Sequence, residues 1–262
     1  METDGAMRSI DLNSDMGESF GVYRYGSDDQ MIEHITSSNI ACGAHAGDPN
    51  TMLRTIRLAK QHKVAVGGHP SYPDLQGFGR RTIDFQPAEI ANYVIYQLGA
   101  LKALARLEEH VVRHMKLHGA LYNNAMKDPR LMMEIAEPVR RLDQQMIIVV
   151  QAGSKAAQTL AETEVRITRE AFADRGYTAA GELAPRGTEG AILRNPEIAA
   201  SRVVGLLETG RLKAVDGTEL EIGEVETICI HSDSPGAPEI AQGVKQALLE
   251  VGFTLEEMHP IR

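Results

Sequence analysis

The stretch Asn39-Ile40-Ala41-Cys42-Gly43-Ala44-His45-Ala46-Gly47-Asp48-Pro49-Asn50 indicates how this chain folds. Its apolar beginning predicts the end of a buried strand. Asp48 and Pro49 are typical of a helix N-cap and of a first helical residue, so a helix is predicted to follow as far as about His62. Between the two elements lies a turn of small residues with one large polar side chain, His45. Glycines in this turn allow the backbone to approach a bound group closely.

The same order of strand, polar turn and helix recurs along the chain without a break in composition. Strands are predicted at 10–12, 39–42, 64–66, 111–115, 146–150, 165–168 and 227–230. Helices are predicted at 28–35, 49–62, 129–142 and 196–207, and apolar helical stripes lie between 90 and 105 and between 240 and 251. Such alternation predicts a parallel sheet with helical crossovers. About seven units favour an α/β fold in the form of a (β/α) barrel, and a doubly wound open sheet is the alternative.

One domain is predicted over residues 1–262, because the chain contains no linker, low-complexity segment or repeat of fixed period. A β-hairpin insertion is predicted near 213–222, where Asp216-Gly217 is a strong turn signal. The net charge of −9 argues against a nucleic-acid partner, because phosphate contacts need clustered Lys and Arg.

The cytoplasm is the expected location, and no membrane partner is expected. The cysteines, Cys42 and Cys229, imply no disulfide framework and fit a reducing compartment. The segment from Met1 to Ser9 has no apolar signal-peptide core. The longest aliphatic run, at 146–150, is too short to span a bilayer.

Polar side chains follow nearly every predicted strand. In a barrel the loops after the strands meet at one mouth, so these side chains are expected to share a site. They are Asn13, Asp15, Glu18, His45, Asp48, His69, Lys116, His118, Gln151, Arg169, Glu170, His231 and Asp233. For Asp48 we favour the competing role of helix cap.

Carboxylates and imidazoles at a barrel mouth fit two kinds of chemistry. Either a divalent metal held by Asp15, His45 and His118 activates water for hydrolysis, or a His or carboxylate pair moves protons at an amide carbonyl without a metal. Arg80 and Arg81, in the long loop after the third strand, suit a substrate carboxylate or phosphate. No phosphate-binding loop, Rossmann glycine motif or G-x-S-x-G nucleophile motif occurs in the sequence.

Several motifs, in order, resemble one known family. They are Asp11-Leu12-Asn13-Ser14-Asp15-Met16-Gly17-Glu18, the stretch from Asn39 to Asp48, Gly68-His69-Pro70, Pro73-Asp74, Gly77-Phe78-Gly79-Arg80-Arg81, His118-Gly119-Ala120-Leu121-Tyr122-Asn123 and Glu170-Ala171-Phe172-Ala173-Asp174-Arg175. From about Arg8 to past Ala237 the chain is similar to the LamB/YcsF family. The resemblance implies a distorted (β/α) barrel with about seven parallel strands, related to glycoside hydrolases and deacetylases.

The resemblance also implies an ATP-dependent reaction that opens 5-oxo-L-proline (pyroglutamate) to L-glutamate, with ATP as co-substrate and 5-oxoprolinase subunits B and C as partners. The expected catalytic residues are then Asp15, His45, His69 and His118, with His69 or His118 as base and Asp15 orienting it. The expected substrate contacts are Asn13, Arg80, Arg81, Lys116, Glu170, His231 and Asp233. A divalent metal on Asp15, His45 and His118 is the other way to activate water.

The expected division of labour is that the partners activate the lactam with ATP and this chain opens the activated ring with water. Two other functions stay open at this point. One is a metal-dependent deacetylase of amino sugars, by analogy of fold. The other is a non-catalytic subunit that binds a partner.

Overall fold

The structure is a computed structural model that describes residues 8–234 and 236–261. Most of the Met1–Ser9 segment considered above therefore lies outside the described residues. In chain order the elements are β1 (Arg8–Met16), α1 (Asp28–Met31), β2 (Ser37–Ala41), α2 (Pro49–His62), β3 (Ala65–His69), α3 (Pro87–Leu107), β4 (Val112–Met115), α4 (Gly119–Lys127), α5 (Pro129–Leu142), β5 (Ile147–Gln151), α6 (Lys155–Ala161), β6 (Ile167–Phe172), α7 (Pro196–Thr209), β7 (Arg211–Lys213), β8 (Glu219–Glu221), β9 (Thr227–Cys229), α8 (Ala237–Glu250) and β10 (Phe253–Leu255).

Seven of these strands close into a parallel barrel. Their order is β1-β2-β3-β4-β5-β6-β9, and β9 pairs with both β6 and β1. The predicted (β/α) barrel is thereby confirmed, and the doubly wound open sheet is wrong. Strand β10 adds in parallel to the first residues of β1, and β7 and β8 form an antiparallel hairpin outside the ring.

The apolar core lies between the ring of strands and the helices around it. Helix α3 contributes the predicted stripe of Ile90, Val94, Leu98 and Leu101, which are fully buried. Gly68 on β3 faces this stripe, and a Cβ atom there would overlap the Leu98 side chain. The absence of a side chain at Gly68 therefore lets α3 pack directly on the barrel.

The inside of the barrel is polar. Asn13 Nδ2 donates to Thr227 Oγ1 at 2.6 Å, and Asn39 Nδ2 donates to Asn13 Oδ1 at 2.8 Å. His114 reaches Asn39 Oδ1 at 2.9 Å from the far side of β3. Gly67 makes room for it, because a Cβ atom there would overlap the imidazole ring. Amide and hydroxyl groups therefore occupy the barrel interior, whereas most (β/α) barrels fill this space with layers of branched aliphatic side chains.

Asp11 lies at the end of this interior network that is remote from the mouth. Its carboxylate accepts hydrogen bonds from the hydroxyls of Thr36, Ser37 and Thr227. Burial nevertheless raises the pKa of Asp11 to about 6 from an ordinary value of 3.8. Between these two values the folded chain holds a proton that the unfolded chain has released, so this carboxyl lowers the stability as the pH rises.

The variant Asp11→Asn removes this pH-dependent penalty. The free energy of unfolding of the variant minus that of the wild type should increase by on the order of 3 kcal/mol as the pH rises from about 4 to 7. Urea unfolding of both proteins across this range measures the difference. A difference that stays constant with pH would contradict the raised pKa.

Three elements are not predicted by the sequence. They are α4, α6 and β10, which contain nine, seven and three residues. Elements this short show too few apolar positions for a period to be visible. The predicted cap of α2 is confirmed, because Asp48 Oδ1 accepts from the backbone N–H groups of Asn50 and Thr51 at 2.9 and 3.1 Å. Within the described ranges, no helix combines the length and apolar character that a bilayer crossing needs.

Candidate functional site

A cavity of about 610 Å³ opens at the carboxyl ends of the barrel strands. Seven side chains singled out in the sequence line this cavity. They are Asp15, His69, Arg80, Lys116, His118, Gln151 and His231. They come from the ends of β1, β3, β4, β5 and β9 and from the loop after β3. The structure thus brings polar groups from distant parts of the chain to one mouth.

Beside the cavity, Glu18, His45, His69 and His118 form a buried group that we call the histidine cluster. One nitrogen or oxygen atom of each lies within 4.8 Å of those of the others. The rings of His45 and His118 stack with centroids 3.7 Å apart. Glu18 Oε1 is 3.5 Å from His45 Nε2 and 3.8 Å from His118 Nδ1. Three imidazoles and a carboxylate are a donor set that suits Zn²⁺ and similar divalent ions.

Backbone carbonyls fix which nitrogens of two histidines face the cluster. His69 Nδ1 donates to the carbonyl of Lys116 at 2.7 Å, and His118 Nε2 donates to the carbonyl of Phe78 at 2.9 Å. In the neutral rings the other nitrogens therefore carry lone pairs. These two atoms, His69 Nε2 and His118 Nδ1, face each other at 2.9 Å. They need a shared proton or a cation that both can bind, and such backbone anchoring is typical of metal-binding histidines.

His45 and Glu18 supply further polar atoms with no hydrogen-bond partner in the described part of the chain. These are both ring nitrogens of His45 and Oε1 of Glu18. Each such buried atom costs about 1–3 kcal/mol, which a bound cation would remove. Burial and a neighbouring imidazole lower the pKa values of His45 and His118, so their lone pairs are available. The cluster therefore fits a divalent cation.

Lys116 is the centre of a second buried group. Its Nζ lies 3.1 Å from Asp15 Oδ1, 3.1 Å from Glu170 Oε2 and 2.9 Å from Cys229 Sγ. Burial alone would lower the pKa of Lys116, but Asp15, Cys229 and Glu170 raise it well above its usual range. Atoms of Asp15, Cys229 and His231 also converge within 4.8 Å. Because Lys116 already supplies a cation to this group, we assign no metal to it.

His231 faces the cavity and is held from behind by Asp174. The Nδ1 atom of His231 lies 3.0 and 3.1 Å from the two carboxylate oxygens of Asp174, which is fully buried. Its Nε2 lies on the opposite side of the ring, 3.9 Å from Asp15 Oδ2. The ring of Phe172 stacks on His231 at a centroid distance of 5.5 Å. An imidazole oriented by a carboxylate in this way is suited to general acid or base catalysis.

Asp233 contacts side chains from several loops around the mouth. Its carboxylate accepts from Arg80 and, at 3.4 Å, from Arg186, and the Tyr25 hydroxyl lies 3.5 Å away. Burial would raise the pKa of Asp233, but His231 and the two arginines lower it. Loops that follow β1, β3, β6 and β9 therefore meet at one carboxylate.

The other predicted substrate contacts lie away from the mouth. Arg81 turns to Asp74, and its side chain is 63% exposed. Asn13 and Glu170 lie in the barrel interior next to Lys116, whose Nζ is 3.4 Å from Asn13 Oδ1. These two side chains position Lys116, and the structure does not bring Arg81 to the cavity.

Sequence reasoning missed three side chains of this site, namely Asp174, Arg175 and Arg186. Arg175 and Arg186 both line the cavity. Asp174 and Arg175 belong to the motif at 170–175, which was the signal for them. Arg186 lies between 176 and 195, where no hydrophobic period is visible, so nothing in the sequence pattern pointed to it.

Comparison with known proteins identifies the family. The sequence model of the LamB/YcsF family matches residues 10–262. The chain belongs to the LamB/YcsF family. The histidine cluster and the cavity are therefore features of a LamB/YcsF protein, as the sequence motifs implied.

Relatives of this LamB/YcsF chain have informative names. A protein from Syntrophobacter fumaroxidans, named as the A subunit of 5-oxoprolinase, is 46% identical over 248 residues, which are 95% of this chain and 98% of the relative. The crystal structure of a lactam utilization protein from Thermus thermophilus is 40% identical, with a TM-score of 0.87 over 95% of this chain and 99% of that one. A peptidoglycan deacetylase from Bacillus subtilis shares the fold at a TM-score of 0.50 and 12% identity, over 97% and 90% of the two chains. This last likeness shows the fold alone.

Proposed function

We propose that this chain is the subunit of an ATP-dependent 5-oxoprolinase that hydrolyses the activated lactam, so that 5-oxo-L-proline is opened to L-glutamate. The observation that carries the proposal is the buried histidine cluster beside a cavity lined by Arg80, Lys116, Arg175 and Arg186. The relatives named as a 5-oxoprolinase component and as a lactam utilization protein support the same reaction.

The reaction needs ATP because a five-membered lactam is an unactivated amide. Phosphorylation of the amide oxygen would turn the carbonyl carbon into a good electrophile. This chain has no G-x-x-x-x-G-K-[ST] loop. We therefore assign activation by ATP, the co-substrate, to partner subunits B and C, and opening of the activated ring with water to this chain.

The histidine cluster would hold a divalent cation through Glu18, His45, His69 and His118. When bound, the cation would supply Lewis-acid polarisation of the carbonyl and a lower pKa of water. Asp15, which the sequence suggested as a ligand, pairs with Lys116 and lies 3.3 Å from His69 Nε2. We assign it to holding the Lys116 ammonium at the cavity, whereas His69 is oriented by the Lys116 carbonyl.

His231 is the group that protonates the ring nitrogen as the amide opens. Asp174 holds its Nδ1, so Nε2 is presented to the cavity. His118 is less suited to this role, because its nitrogens contact the Phe78 carbonyl and His69 Nε2. The Lys116 ammonium would stabilise the negative charge of the phosphoryl oxygens on the activated lactam, and a second water would release phosphate from the glutamyl phosphate that ring opening leaves.

The direct test measures glutamate release from 5-oxo-L-proline and ATP by the purified chain with subunits B and C. We expect release only when all three subunits and ATP are present. The variant Asp174→Asn should lower kcat by about 100-fold or more, because His231 loses its orienting carboxylate. Arg130→Met, on the exposed side of α5, is the control and should keep the wild-type rate.

Other outcomes would replace this function. Glutamate release at the full rate without this chain would exclude it as the hydrolytic component. Acetate release from N-acetylglucosamine oligomers without ATP would favour the amino-sugar deacetylase. An assembled complex, checked by size-exclusion chromatography, that keeps full activity with His231→Ala would favour a subunit that only binds partners.

A further inference from the structure

The cavity wall contains a buried guanidinium whose charge has no carboxylate to match it. Arg175 is 7% exposed and lines the cavity. Its Nε donates to the carbonyl of Ala191 at 3.2 Å, and its Nη2 donates to the carbonyl of Ala184 at 2.7 Å. In residues 8–234 and 236–261 no carboxylate oxygen lies within 4.0 Å of this guanidinium, whereas Arg80 and Arg186 both pair with Asp233.

Carbonyl oxygens orient the Arg175 guanidinium without cancelling its charge. The neighbouring carboxylate along the chain, Asp174, is committed to His231. Burial and the nearby Arg186 lower the pKa of Arg175, and the more distant carboxylates of Asp174 and Asp233 offset this only in part. A buried charge without a counter-charge is costly unless a ligand supplies one. The site is therefore built to receive an anionic group.

We propose that Arg175 binds the carboxylate of the lactam substrate, with Arg186 beside it. This inference rests on the proposed function and names the part of the substrate that the cavity recognises. In 5-oxoproline the carbon that bears the carboxylate is bonded directly to the ring nitrogen. His231, which Asp174 holds, and the Arg175 guanidinium line the same cavity, and their anchoring residues Asp174 and Arg175 are consecutive in the chain. A substrate whose nitrogen receives the proton from His231 would thus carry its carboxylate on the cavity wall that Arg175 forms.

A phosphoryl group on the activated lactam is the other anion that Arg175 could meet. In the ring, the nitrogen separates the carbon bearing the carboxylate from the carbonyl carbon that would carry the phosphoryl oxygen. An arginine that shares the cavity with the group that protonates nitrogen, and that directly follows the anchor of that group in the chain, therefore fits the carboxylate better.

The test compares 5-oxo-L-proline with its neutral analogue 5-oxoprolinamide, using the complex with subunits B and C. Arg175→Met should lower kcat/KM for 5-oxo-L-proline by about 10- to 100-fold, the value of one charged hydrogen-bonded contact. The kcat/KM for 5-oxoprolinamide, or its inhibition constant if it is not turned over, should change by less than about threefold by the same reasoning. Arg175→Lys should recover part of the loss, because it keeps the charge without the two-pronged hydrogen bonding. Arg130→Met removes an exposed arginine and should leave the kinetic constants for both compounds unchanged.

Equal losses for the two compounds would assign Arg175 to the phosphoryl group or to the structure and would overturn the inference, as would an unchanged kcat/KM. If the methionine variant does not fold, the ratio of the two losses in Arg175→Lys decides in the same way. A wild-type complex that releases no glutamate would instead remove the proposed function and this inference with it. The two failures are therefore distinguishable.

Discussion

Replacing His45 with leucine should leave the metal-free protein at least as stable as the wild type and should abolish its stabilisation by Zn²⁺. Both ring nitrogens of His45 are buried without a hydrogen-bond partner in the described part of the chain. Removing them relieves a desolvation cost of about 1–3 kcal/mol when no metal is present. The same change removes one ligand from the histidine cluster, and a ligand that binds only the folded state raises its stability.

The measurement is the melting temperature of both proteins in EDTA and with added Zn²⁺, together with the metal content after dialysis. In EDTA the His45→Leu protein should melt at or above the wild-type temperature, and with added Zn²⁺ it should melt below the wild-type temperature. His259→Leu, which removes an exposed histidine, controls for Zn²⁺ bound at the surface. A His45→Leu protein that melts several degrees lower in EDTA, with an unchanged response to Zn²⁺, would show that His45 serves only the structure.

Replacing Lys116 with methionine should be the most destabilising single change at the site. The ammonium of Lys116 lies within 3.1 Å of carboxylate oxygens of both Asp15 and Glu170, and all three side chains are buried. Without it two carboxylates are left without their buried cation, so we expect a loss of about 3–5 kcal/mol in the free energy of unfolding. Adding Glu170→Gln to Lys116→Met should restore part of this loss, because one of the two charges is removed.

The contribution of Lys116 to the stability of the wild type should be constant over the neutral pH range. The pKa of Lys116 is raised above its ordinary 10.5, so its contribution is fully present below that value and is lost only as the pH rises through the folded pKa. Burial would raise the pKa of Asp15, but His69 and Lys116 hold it well below its ordinary 3.8, so its contribution is lost only in acid.

Urea unfolding at several pH values measures the Lys116→Met deficit. The exposed Lys213 provides the control, because Lys213→Met should change the stability by less than about 0.5 kcal/mol. A Lys116→Met protein as stable as the control would contradict the ion pairs of Lys116 with Asp15 and Glu170.

The fold and half of the site could be predicted from the sequence because both depend on local patterns. Each barrel strand is a short apolar run followed by a polar turn, so His45, His69 and His118 could be placed at one mouth without a structure. Asp48 could be separated from them, because Asp followed by Pro is a local helix-start signal.

The rest of the site depends on contacts that local patterns do not encode. Glu18 could be placed at the mouth, but its position next to His45 and His118 follows from how the loop after β1 folds back. Arg81 was expected at the substrate because it neighbours Arg80, yet only Arg80 points to Asp233 while Arg81 turns to Asp74. The direction of two adjacent side chains is set by tertiary packing.

Segment 176–194 shows the same limit. It contains only isolated bridges, between Arg175 and Ile192 and between Tyr177 and Leu183, and so it has no period to detect. Two of its backbone carbonyls hold Arg175. Every residue type has a backbone carbonyl, so the sequence of the segment gives no sign of this contact.

The site can form only after strand β9 has been synthesised. This strand fills the gap between β6 and β1, and it brings Cys229 to Lys116, a residue 113 positions earlier. A growing chain that has not yet reached Thr227 can hold every residue of the histidine cluster but has an open seam with two unpaired strand edges. Synthesis of β9, the last strand of the ring, therefore closes the barrel, hides edges that promote aggregation and completes the site in a single event.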